Sequence, residues 1–179
     1  MNKVDTPTDS NLLITSTTPF AANSTWTLWY HSSEEKKWTP STYKQIHTVK
    51  NWGEFWGLID TLGEESLLGG FFFLMKNDIP PLWENKANIR GGSYTVRVPR
   101  REASDIFLKY SIACIINEAM TNPDNNIIGI SIAPKKAYNV ISLWNDDFSR
   151  FNSQNDLVIL TKGVRYDEIR YTKHIDKKF

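Results

Sequence analysis

The sequence predicts an α+β domain in which an antiparallel β-sheet carries helices on one face. Three observations lead there: an aromatic stretch with strand periodicity near the start, amphipathic helical stripes separated by strand pairs, and an element order ββα, ββ, α, ββ, α, β. Thr25 to His31 opens the folded part. Trp26, Leu28 and Tyr30 alternate there with Thr25, Thr27 and Trp29, so aromatics fall on both faces and the sheet is expected to be covered on both sides. Asn51 followed by Glu54 has the spacing of a capping box, and Trp52, Phe55, Trp56 and Ile59 then share one helical face. Phe71 to Lys76 reads as a buried strand, and Tyr94, Val96 and Val98 alternate in another after Gly91-Gly92. Between them, the Pro80-Pro81 pair bars Ile79 to Arg90 from a helix or central strand, which makes this stretch an exposed loop. Ser104 is the expected cap of a second helix with a stripe of Leu108, Ile112, Ile115, Ile116 and Ala119. Strands follow at Ile127 to Ile132 and Tyr138 to Trp144, joined by a Pro134-Lys135-Lys136 turn. A short helix over 156–162 is expected to stop at Gly163, before a last strand near Ile169 to Thr172.

Composition narrows the function. The 179 residues suit one domain, taken as 21–179 behind a flexible tail over 1–20 whose Thr, Ser, Asp and Asn cannot bury enough apolar area to offset ordering entropy. The apolar fraction of 40% and charged fraction of 23% are those of a soluble protein, with no membrane partner expected. The N-terminus lacks the continuous apolar region of a signal peptide. Cys114 stands alone, which fits a reducing compartment such as the cytoplasm. A net charge of +1 argues against extensive duplex binding and confines any nucleic-acid contact to a local patch. Clustered carboxylates for a hydrolytic metal and a Gly-rich strand-to-helix loop for a methyltransferase cofactor are both lacking, since Gly69-Gly70 precedes a strand. A non-enzymatic role without cofactor or metal is therefore expected.

Seven Trp, seven Tyr and nine Phe exceed what a core of this size needs. Trp83-Glu84, in the exposed loop, can recognise guanine: the carboxylate accepts from the N1 and N2 donors together while an indole covers the ring. Trp38, in the polar Lys36-Lys37-Trp38-Thr39-Pro40 stretch, has no apolar neighbour in sequence and is suited to cover the other side. Methylation at N7 makes guanine cationic, adding roughly 1–2 kcal/mol of cation–π attraction per desolvated indole to stacking of roughly 1–3 kcal/mol. Lys135 and Lys136 offer cations for phosphates beyond the base.

These residues carry a resemblance to the cap-binding translation initiation factor 4E family. WTLWYH from Trp26, KKW ending at Trp38, GEFWGLI with Trp56, IPPLWENKANIRGG with Trp83 and Glu84, and ISLW ending at Trp144 occur together and in order between about Thr18 and His174. The resemblance implies a curved sheet whose concave face holds the 7-methylguanosine 5′ cap of capped mRNA and whose convex face is backed by helices. It implies stacking by Trp38 and Trp83, base-edge contacts from Glu84 and the Trp83 backbone N–H, and contact of Trp144 with the N7-methyl group. Ser93 stands where the family usually has a phosphate-binding arginine, and Val140 where it has another basic residue. Lys135 aligns with the family's principal phosphate-binding arginine, and Lys136 replaces a lysine that has become Ala137. The C-terminal segment, ending Asp176-Lys177-Lys178-Phe179, reads as a curtailed form of the loop that closes over the triphosphate.

On the helical face the family binds an initiation scaffold or repressor protein through a Y-x-x-x-x-L-apolar helix. Pro19, Trp52 and Trp56 match that surface, whereas Lys109, Tyr110 and Ala113 stand at positions usually leucine, glutamate and leucine. The implied function is cap binding by a monomer to recruit mRNA for translation initiation. The alternative is a cap-binding repressor or competitor with an altered partner surface.

Overall fold

The alternation of β1 (Ala21–His31) sorts its rings onto two faces. In the computed structural model, which describes residues 21–177, Trp26 and Leu28 enter a large apolar core while Trp29 packs against a smaller aromatic cluster. The expected tail and Pro19 lie outside the described residues. The other strands are β2 (Tyr43–Asn51), β3 (Phe71–Lys76), β4 (Gly92–Pro99), β5 (Ile127–Pro134), β6 (Tyr138–Asn145) and β7 (Arg170–Lys173). All pair antiparallel in one curved sheet of order β2-β1-β3-β5-β6-β4-β7.

The long helices, α1 (Trp52–Gly69) and α2 (Ala103–Ile115), both pack on the face carrying the large core. α1 starts as its sequence predicts. Asn51 Oδ1 accepts from the Glu54 N–H at 2.9 Å, and Glu54 Oε2 accepts from the Lys50 N–H at 2.8 Å, one residue before the cap. Gly63, at φ 65°, breaks the helix in a conformation glycine adopts without a Cβ penalty.

Two expectations fail. Ser104 is not a cap: the chain enters α2 through a 3-10 turn, Arg100–Glu102, and Ser104 lies inside the helix. Residues 156–162 form no helix. Ser153 and Asp156 cap a 3-10 turn at Gln154–Asp156, after which Leu157 bridges Met120 and the Val158 N–H donates to the Ala119 carbonyl at 2.9 Å. With Leu157 fully buried, tertiary pairing satisfies the backbone groups a helix would have used. Among the described glycines only Gly63 has a positive φ, so Gly163 makes no left-handed helix cap.

Candidate cap-binding pocket

The helix-free face of the sheet holds a cavity of about 480 Å³. Phe73 of β3, Ser131 of β5 and Trp144 of β6 line it from the sheet, and the loops carrying Trp38 and Trp83-Glu84 line it from above the strand ends. Trp144 is 2% exposed, with Nε1–H donating to Ser131 Oγ at 3.2 Å and Phe73 meeting it edge-on at 6.1 Å.

Trp38 is 40% exposed, as expected for a ligand residue, but it is not without neighbours. The imidazole of His31 stacks under its indole at 3.9 Å with planes 5° apart, and Phe71 meets it edge-on at 4.9 Å. His31 is fully buried, and each of its ring nitrogens lies 2.9 Å from a carbonyl oxygen, of Ser32 and of Lys37. A plane fixed at both ends pre-orients the indole stacked on it, which lowers the ordering cost of binding. Chain alternation gave no signal that His31 and Phe71 support Trp38.

The Trp83-Glu84 loop is irregular yet tied down. Asn88, fully buried, donates from Nδ2 to the carbonyls of Pro80 at 2.8 Å and Leu82 at 2.7 Å, bracketing the backbone just before Trp83. Gly91 closes the loop where a Cβ would collide with the Asn145 carbonyl oxygen, so glycine is required by close approach of two backbones. Glu84 is exposed at the rim, and its charge together with burial raises the pKa of Tyr43, burial being the larger cause.

Of the two lysines, Lys135 lines the cavity with Nζ 5.9 Å from the Phe71 ring centre, whereas Lys136 is exposed outside the lining. Ser93 is fully buried and faces inward, its Oγ 2.7 Å from His174 Nε2. His174 Nδ1 lies 2.7 Å from the Asn88 carbonyl oxygen, and burial lowers its pKa to about 4. Lys177 was not anticipated as a pocket residue. Its Nζ sits 4.2 Å from the Trp83 ring centre, 5.5 Å from that of Trp144 and 3.3 Å from Ser93 Oγ.

On the opposite face Trp56 is 49% exposed, and Trp52 is partly buried against the core. Lys109 is exposed and pairs with Asp105 at 2.7 Å. Tyr110 and Ala113 correct the expected partner surface. Tyr110 is fully buried with its hydroxyl donating to the Val158 carbonyl at 2.9 Å, and Ala113 is 5% exposed. The segment that replaced the expected helix covers this side of α2, leaving Lys109, Ile112 and Ile116 toward solvent.

An aromatic pocket with an acidic rim, on the face of a helix-backed antiparallel sheet that the long helices leave open, places together side chains of the kind that can hold a planar base. The family pattern described as Eukaryotic initiation factor 4E matches residues 21–178, and the chain belongs to that family. It is 29% identical over 129 residues to eukaryotic translation initiation factor 4E of Candida glabrata, covering 68% of this chain and 61% of the relative. It is 30% identical over 159 residues to the factor of Dictyostelium discoideum, covering 84% and 63%. The chain thus spans about three fifths of the length of these curated relatives. Among solved structures, Caenorhabditis elegans eIF4E-3 in complex with the 4E-binding protein Mextli has a TM-score of 0.72 at 22% identity, over 89% of this chain and 96% of that one. Ascaris suum eIF4E-3 with an m7G cap has a TM-score of 0.70 at 23% identity, over 90% and 94%.

Proposed function

We propose that this chain binds the 7-methylguanosine cap of mRNA without catalysis and thereby recruits the message for translation initiation. The observation that carries the reading is the cavity lined at once by Trp38, Trp83, Glu84 and Trp144. Those side chains supply stacking surface for a cationic base and an acceptor for its two-donor edge. The m7G cap bound by the Ascaris relative is of that chemistry. A cytoplasmic site of action is consistent with Cys114, a buried free thiol whose pKa burial raises. Retention on 7-methylguanosine-cap resin, with elution by 7-methyl-GTP and not by GTP, is the expected result. Failure to be retained would overturn the reading.

Phosphate contact falls to Lys135, which lines the cavity, and not to Lys136. Lys135→Ala should weaken binding of 7-methyl-GTP more than of 7-methyl-GMP, while Lys136→Ala changes both little. Since each neutralised phosphate contributes a log–log salt slope of about 0.7 on a single strand, the slope for 7-methyl-GTP should be shallow and should fall further in Lys135→Ala. A steep slope that persists in that variant would place the phosphate contact elsewhere.

For a partner of the 4E-binding kind, Trp56 is the exposed anchor on the helical face. The competitor alternative rested on Lys109, Tyr110 and Ala113. With two of those three buried, only Lys109 is left to support it, and recruitment is the reading retained.

A further inference from the structure

A cation already occupies the aromatic seat. The Lys177 ammonium lies over Trp83 and near Trp144, two of the side chains assigned to the cationic base, and it lines the same cavity. A hydrogen-bond chain of fixed polarity holds it there. The Asn88 carbonyl oxygen can only accept, so His174 carries its proton on Nδ1. His174 Nε2 then accepts from the Ser93 hydroxyl, and the remaining lone pairs of Ser93 Oγ face the ammonium at 3.3 Å. Ser93 thus serves as the anchor of an internal lysine.

We propose that Lys177 is an internal competitor of the base pocket: its ammonium, seated on Trp83 and Trp144 and anchored by Ser93, must be displaced before a cationic base can stack there. This rests on the cap-binding reading of the same pocket. A ligand's apparent affinity falls by the fraction of molecules whose site is open, so the seated lysine weakens binding without touching the bound base. The seat is not a tight one. Burial lowers the Lys177 pKa from 10.5 to about 8, a sign that the charged form loses hydration there.

The test uses the full chain and 7-methyl-GTP. Lys177→Ala should bind about tenfold more tightly than wild type, while Lys177→Arg, which keeps a cation able to lie on an indole, should stay near wild type. Equal or weaker binding by Lys177→Ala would overturn the proposal, a weaker value showing that Lys177 contacts the ligand. pH supplies a second readout. Displacement returns Lys177 from a pKa of about 8 to the ordinary 10.5, so binding takes up a proton between those values, and wild-type affinity falls as pH rises through that window. The gain from Lys177→Ala should therefore grow above pH 8. Tyr43 of β2, Glu84 of the β3–β4 loop, Lys135 after β5 and His174 of the same terminal turn surround the pocket, while β4 and β6 contribute Ser93 and Trp144. His174, whose pKa burial and the Lys177 charge lower to about 4, titrates well below that window, and the ligand's own titration divides out of the ratio.

A ligand-free measurement separates the two readings. In protein with 13C-methylated lysines, the Lys177 signal, assigned by its loss in Lys177→Ala, should be shifted by the indole ring currents and should return to the ordinary position at saturating 7-methyl-GTP. An unshifted signal in the free protein, or a shifted one that persists when 7-methyl-GTP binds, overturns the competitor and leaves cap binding standing. A shifted signal with no binding of 7-methyl-GTP by any variant overturns both.

Discussion

Trp38→Ala should lower affinity for 7-methyl-GTP by about thirtyfold or more. Stacking on one indole contributes roughly 1–3 kcal/mol and the cation–π attraction about 1–2 kcal/mol, so the smallest sum is about 2 kcal/mol. The fold should survive, because Trp38 is 40% exposed and belongs to neither buried cluster. Trp83→Ala should cost less than Trp38→Ala, although both rings are proposed to stack on the base. Losing Trp83 also removes the surface on which Lys177 is seated, so the internal competitor weakens with the ligand. Titration by quenching of the remaining tryptophans, with thermal unfolding as the control for folding, measures both. Unchanged affinity in soluble Trp38→Ala would sink the stacking role.

Glu84→Gln should cost about 2 kcal/mol or more, again near thirtyfold, since a charged hydrogen bond is lost and one guanine donor meets a donor. Glu84 is exposed at the rim, so the substitution should leave stability within about 0.5 kcal/mol. Calorimetry with 7-methyl-GTP and with 7-methyl-ITP, which lacks the N2 donor, tests the pairing. The variant should lose most of the preference for the guanine ligand. A preference retained in full would mean that Glu84 does not read the base edge.

Strands were legible where short apolar, β-branched or aromatic runs stand between turn residues. The expected Phe71 to Lys76 strand coincides with β3, and the paired strands through Ile132 and Trp144 extend by only a residue or two into β5 and β6. Helix α1 was legible because its cap is local, with Asn51 and Glu54 side chains bonding backbone within four residues. Local signals misled where distant partners satisfied the same groups. A helix-like stretch over 156–162 became a strap because the Ala119 carbonyl and Met120 offered it pairing across the fold. Position along α2 did not reveal which of its sides that strap would cover, so Tyr110 and Ala113 were assigned to a surface they do not reach.

By itself the sequence determined the chemistry available to the pocket: indoles at Trp38, Trp83 and Trp144, and a carboxylate at Glu84 beside Trp83. Side-chain type and loop context are local properties, and the acceptor geometry of a carboxylate does not depend on the rest of the chain. Tertiary structure alone decided what stands behind and within that pocket. His31 became the brace of Trp38 only when the β1–β2 loop folded back over its own strand. Ser93 and His174 are 81 positions apart, and their hydrogen bond with the lysine that follows exists only because β7 pairs with β4 and carries the next turn over Trp83. A contact between side chains that far apart leaves no period or spacing to read, because strand pairing across the sheet and not the local chain brings them together.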